Sequence, residues 1–145
     1  MASIQSIIIR REKKQEPVRV TEVQITSSGV EGDHSERRKS ARQVTLIGGN
    51  HLATVAANTG FQGDVHLASR RNILIDELPD GDLSGKVIQL GDEVILEIIK
   101  YCTPCFRMDE NFGEGAIRAF DERAGWIAKV IREGRVAVGD KFEVR

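Results

Sequence analysis

A strand, a Gly-Asp turn and a return strand follow one another twice in this chain, which commits much of it to β-structure. The first unit is Gly85-Lys-Val-Ile-Gln-Leu-Gly91-Asp92-Glu-Val; the second, in outline, is Gly134-Arg-Val-Ala-Val-Gly139-Asp140-Lys-Phe. Gly supplies the positive φ of a tight turn and Asp bonds the local backbone. Gly-Asp occurs five times, at 32–33, 63–64, 81–82, 91–92 and 139–140. Around these turns lie further short β-branched runs and only a few helical stretches. We therefore expect a mainly β domain spanning residues 1–145: a closed or nearly closed β-barrel with a few short helices over its ends. Closure removes the exposed strand edges that an open sheet would present.

The pass along the chain fills in that outline. Strands are expected at 3–11, 43–47, 71–76, 86–90, 93–101, 126–131, 135–138 and 141–145. Residues 18–26 alternate with period two, but their apolar set slips from one face to the other partway; a bulge or a twist between sheets would explain it. Residues 27–41 carry almost no apolar content and read as a long polar loop, of the kind that is functional or disordered inside a compact domain. Residues 50–58 read as a helix with Asn50 as N-cap and Gly60 just past its end, and 114–123 has helical spacing through Ile117 and Phe120.

Composition bounds the function. The 145 residues hold 21 Lys and Arg against 22 Asp and Glu, a net charge of −1. This balance argues against a general nucleic-acid binder, and 5% aromatic residues weaken any reading built on base stacking. The N-terminal apolar run, Ile7 to Ile9, is too short for a signal or a membrane span. Two cysteines are too few for a secreted disulfide scaffold. We expect a cytoplasmic protein with reduced thiols, no membrane and no nucleic-acid partner.

Three places can carry chemistry. Cys102-Thr-Pro-Cys105 can be a dithiol redox site, half of a zinc site, a working thiol with a bystander, or packing. The zinc option lacks a second ligand pair, since His34, His51 and His66 are scattered. Cys105 has the better case for a working thiol, because it follows Pro104 at the expected start of a helical turn and Arg107 can add positive charge. The polar loop sets Gly29-Val-Glu-Gly32 against Asp33 and His34, and Arg37, Arg38, Lys39 and Arg42 follow, either as a solvated loop or as an anion contact. Finally, Arg70-Arg71-Asn72 opens an apolar strand; Arg grips an oxyanion bidentately and Asn offers both a donor and an acceptor.

In this order and spacing, these pieces resemble the MOSC domain, named for the C-terminus of molybdenum cofactor sulfurases. Gly29-Val-Glu-Gly32-Asp33-His34 resembles the family's early Gly-x-x-Gly-Asp-x-His signature, and Arg70-Arg71-Asn72-Ile-Leu-Ile its central Arg-x-Asn strand opening. Residues 85–97 resemble the stretch ending in a Leu-Gly-Asp turn, Pro104-Cys105-Phe-Arg107-Met the segment with the signature cysteine, and residues 125–140 the closing segment. The resemblance implies a β-barrel, an association with molybdenum cofactor (molybdopterin), and Cys105 as the working cysteine. In that family the cysteine carries sulfur as a persulfide or gives molybdenum a thiolate ligand. It further implies Arg70 or Arg71 with Asn72, and Asp33, His34 and Arg107, on the cofactor side. Implied partners are a sulfur donor or acceptor protein, or a separate reductase. We expect neither the cysteine desulfurase domain nor the ferredoxin-type cysteines of larger members. The leading reading is a sulfur or cofactor carrier. Alternatives are a molybdenum-dependent reductase of N-hydroxylated compounds with a separate electron donor, and a metal-free Cys102/Cys105 thiol-redox module.

Overall fold

A computed structural model describes residues 2–12, 15–37, 43–103 and 110–145. Its strands are β1 (Ile4–Ile9), β2 (Val18–Val20), β3 (Glu22–Thr26), β4 (Gly29–Val30), β5 (Val44–Gly48), β6 (Ile73–Ile75), β7 (Val87–Leu90), β8 (Val94–Tyr101), β9 (Trp126–Arg132), β10 (Gly134–Ala137) and β11 (Phe142–Val144). Between them lie the helices α1 (His34–Arg37), α2 (Gly49–Thr59), α3 (Val65–Ser69) and α4 (Ala116–Ala119). The candidate residues Cys105 and Arg107, and Arg38, Lys39 and Arg42 of the basic cluster, fall outside the described residues, as does the side chain of Arg37.

Side chains alternate across a strand, and here the alternation separates two apolar cores. Ile7, Leu46, Ile73, Ile75, Trp126 and Ala128 face one core, which β3, β7, β8 and β10 complete. Ile47, Leu74 and Ile127 face the other, under Leu52 and Val55 of α2 and Ala116 and Ala119 of α4. One row of paired residues crosses the sheet: Tyr101, Trp126, Leu46, Ile73, Ile7 and Val20.

The protein is mainly β with a few short helices, as expected. One sheet has eight strands in the order β11-β7-β8-β9-β5-β6-β1-β2, and a second has three, β10-β3-β4. Among the described residues neither closes on itself, so the expected barrel is not shown. β1 divides its outer edge instead. Ile7–Ile9 pair with β2, while the start of β1 meets the approach to β11 at one bridge, Ser3 with Lys141. Ile4 N–H donates to Asp140 O at 2.8 Å and Phe142 N–H to Ala2 O at 3.0 Å, so the seam is short.

The slip within 18–26 is a passage between sheets, the second of the two explanations expected: the chain leaves β2 at Thr21 and enters β3 in the other sheet. Two expectations need correction. The second Gly-Asp unit is not a hairpin, because β10 pairs with β3 and β11 with β7. The reason lies in the turn itself. Asp140 accepts from Ala137 N–H at 2.9 Å and lies so close to Gly91 that a Cβ there would sit 2.7 Å from Oδ2. The two Gly-Asp turns thus dock on each other, and the returning strand is handed to β7. Lastly, Asn50 does not cap α2. Its side chain takes Leu78 N–H and donates to Leu78 O, both at 3.0 Å, and the N-cap is Gly48.

Candidate functional site

The site is built around α3 and the turn that follows it. Asp64 caps the helix by accepting from Leu67 N–H at 3.0 Å and pairs through both oxygens with Arg19, which holds its carboxyl below the usual range. The C-cap is Arg70, in the left-handed region at φ 60, where glycine is the common occupant. The guanidinium of Arg70 lies 3.6 Å from Glu16, and its side chain is 17% exposed. Its Nη1 is buried and has no hydrogen-bond partner among the described residues.

Arg71 and Asn72 are buried. Arg71 Nε donates to Ala124 O at 2.8 Å. The Asn72 carbonyl oxygen accepts from Thr45 N–H and Oγ1–H, and its amide donates to Ile8 O at 3.3 Å. Asn72 therefore ties β1, β5 and β6 together just where β6 begins.

Asp33 and His34 are pinned to the same end of β1. The Asp33 carboxylate accepts from Arg10 N–H at 2.9 Å and from both N–H and Oγ–H of Ser35. His34 N–H donates to Arg10 O, and its Nε2 lies 2.7 Å from Arg10 Nη2. Arg can only donate, so this Nε2 is unprotonated and accepts. Ile8 holds Asn72 and Arg10 holds Asp33 and His34, so β1 brings two of the three sequence candidates to one region.

The third candidate is flanked by anchors in the same neighbourhood. Cys102 packs in the apolar cluster with Ile47, Leu74 and Phe120, and its N–H donates to Gly125 O at 2.8 Å. The neighbouring Ala124 holds Arg71 by its carbonyl and donates its N–H to Tyr101 Oη at 3.1 Å. Beyond the undescribed residues 104–109, Asn111 donates to Ala68 O at 2.9 Å, two residues before Arg70. Phe112 stacks between Phe61 at 4.6 Å and Phe120 at 5.0 Å. Both flanks of the Cys105 segment are thus fastened to elements that hold Arg70 and Arg71.

Sequence reasoning missed His66, Ser6 and Asn111. His66 is fully buried, with Nδ1 2.7 Å from Ser6 Oγ and Nε2 2.7 Å from Arg71 O; burial pushes its pKa down to about 4. Asp64 directly before an apolar run was the available signal for a helix there. Among the described residues, no three His, Cys, Asp or Glu side chains converge to hold a metal ion. Nor is any described helix long and apolar enough to cross a membrane.

Comparison with known proteins gives the frame its place. Over 99% of this chain and 96% of the other, the fold superposes on the YuaD protein from Bacillus subtilis with a TM-score of 0.83 at 18% identity. YiiM from Geobacillus stearothermophilus matches with a TM-score of 0.79 at 14% identity, over all of this chain and 75% of that one. A protein named "Reductase" from Gibberella moniliformis is 29% identical over 79 residues, which is 50% of this chain but only 14% of that protein. The family model for the MOSC domain matches residues 20–143. The chain belongs to the MOSC domain family.

Proposed function

We propose that this is a molybdenum-cofactor-associated protein in which Cys105 carries sulfur as a persulfide or holds the cofactor by its thiolate. Arg70 grips an anionic group of that cofactor. One observation carries the reading: a buried guanidinium nitrogen of Arg70 has no hydrogen-bond partner among the described residues. Leaving a buried donor unsatisfied costs about 1–3 kcal/mol, more when it is charged. A phosphate oxygen from the pterin would satisfy it, so the residues present fit the group. When bound, the cofactor supplies redox-active molybdenum whose soft sulfur ligation suits a cysteine thiolate. Asn72 and Asp33 support the same region from behind, and Arg107 and His34 complete the set we assign to the cofactor side.

As a carrier, the Cys105 thiolate attacks the outer sulfur of a donor protein's persulfide. The Cys105 S–S bond forms, the donor's S–S bond breaks, and the donor leaves as a thiolate, with no net oxidation. The reading places the protein in the reducing cytoplasm and takes the seam at Ser3 and Lys141 as the closing point of a barrel.

The alternative is a molybdenum-dependent reductase of N-hydroxylated compounds fed by a separate electron donor, and the Gibberella match named "Reductase" favours it. Burial of Cys102 among apolar side chains favours packing over a dithiol role.

The test is intact mass with metal analysis, on protein purified without reductant from a molybdate-fed host. Near-stoichiometric molybdenum, lost in Cys105→Ser, supports the cofactor thiolate and turns attention to reductase substrates. A gain of about 32 Da on Cys105 without molybdenum supports the carrier. Neither signal, or equal loss of function in Cys102→Ser and Cys105→Ser, overturns the reading.

A further inference from the structure

We propose that His66 is a positioning residue for Arg70, the last link of a chain of donors that locks the backbone around the oxyanion grip. The proposal rests on the reading of Arg70 given above. The direction of each bond follows from what its partners can do. A guanidinium only donates, so Arg19 Nε–H gives to Ser6 Oγ at 2.9 Å. A backbone carbonyl only accepts, so His66 Nε2–H gives to Arg71 O at 2.7 Å. The neutral imidazole then has its lone pair on Nδ1, and Ser6 Oγ–H fills it at 2.7 Å. Each group has one role, and the chain runs one way: Arg19, Ser6, His66, Arg71. At its outer end Arg19 is fixed by both oxygens of Asp64, the residue that caps α3.

The inner end closes on the turn. Ser69 Oγ–H donates to His66 O at 2.7 Å, and Arg71 N–H donates to that same Ser69 Oγ at 3.3 Å. Both backbone polar groups of Arg71 are therefore held, one by Ser69 and one by His66. Arg70 N–H is held in turn by Leu67 O at 3.3 Å. The left-handed Arg70 sits between two fixed peptides. Such a conformation persists in a non-glycine residue only when its surroundings over-determine it. Burial keeps His66 neutral, so the donor pattern holds through neutral pH. Without the His66 donor, the Arg70–Arg71 peptides can relax toward a right-handed turn. The buried guanidinium nitrogen would then lose its aim.

The experiment follows the backbone amide signals of residues 66–72 by NMR during titration with inorganic phosphate, a probe present in the wild type and in every variant. It uses the full chain made in a host that cannot make molybdenum cofactor, with folding checked separately by thermal melts. The wild type should saturate and Arg70→Gln should not respond. His66→Leu should bind about tenfold more weakly while folded, and His66→Gln, which keeps a donor toward Arg71 O, should bind within about threefold of wild type. If His66→Leu does not fold, Ser6→Ala decides: it keeps the imidazole but removes the hydroxyl that orients it, and should weaken binding by about threefold. Wild-type affinity in a folded His66→Leu or in Ser6→Ala overturns the positioning role and leaves the Arg70 reading intact. A wild type that does not bind, or binds equally as Arg70→Gln, overturns both.

Discussion

Arg70 holds a position where its own backbone is at a disadvantage. An L side chain in the left-handed region costs about 1–2 kcal/mol, and glycine escapes that cost. The chain nevertheless places an arginine there, with one buried nitrogen that has no hydrogen-bond partner among the described residues. Arg70→Gly should therefore leave stability unchanged or raise it by up to about 1 kcal/mol in urea unfolding, while oxyanion binding is lost. A large loss of stability would mean that Arg70 is structural. His66 gives a second prediction at this scale. Its folded pKa, about 4, lies below the 6.5 of the free group. Between those values the unfolded chain takes up a proton that the folded chain refuses. Stability contributed by His66 is thus complete above about pH 6.5 and is lost as pH falls toward 4, by at most about 3 kcal/mol. Unfolding free energies measured across pH 4–7 should show this slope in the wild type, and His66→Gln should flatten it.

Asn72 shows how an element can use a residue that looks ready for a ligand. Its side chain joins β5 to β1 at the first residue before β6, and most of its hydrogen-bonding capacity is spent there. Asn72→Ala strands Thr45 N–H and Ile8 O in a buried place and should cost about 2–4 kcal/mol, read by denaturant unfolding. An effect below 1 kcal/mol with loss of phosphate binding would return Asn72 to the ligand. The element scale also divides what could be read from sequence. The strands were legible, because period two sorts Leu46 from Ile47 and Ile73 from Leu74 into separate cores. The helix α2 was legible from Leu52, Val55 and Gly60. The helix α3 was not, since five residues are too few to show a helical period, and its C-cap is an arginine where the usual signal is glycine. The candidates Arg70, Asn72, Asp33 and His34 were visible as residue types in a pattern. Their division of labour was not, because it depends on Ser6, Thr45, Ser69 and Ala124, which reach them only through the fold.

Across the whole molecule, the same limit applies to pairing. Nothing local in Gly139-Asp140 says that the next strand joins β7 and not β10; the contact of Asp140 with Gly91, distant in the chain, decides it. That docking also brings the approach to β11 against the start of β1, where one bridge and a few backbone bonds join the end strand β11 to β1. The long ladders, such as β8 with β9, share their opening cost over many bonds, whereas this seam has few to lose. Native-state hydrogen exchange should therefore find Ile4 and Phe142 N–H less protected than Leu96 or Ala128 N–H in the middle of the sheet. Asp140→Ala removes the carboxylate that holds Ala137 N–H and rests against Gly91. It should cost about 1 kcal/mol overall, and should speed exchange at Ile4 and Phe142 about tenfold while leaving the β8 and β9 amides limited by global unfolding. If the seam amides instead exchange only with the rest of the sheet, in the wild type and in Asp140→Ala alike, β1 and β11 open as one unit with the core. The short seam would then be as firm a junction as the ladders beside it.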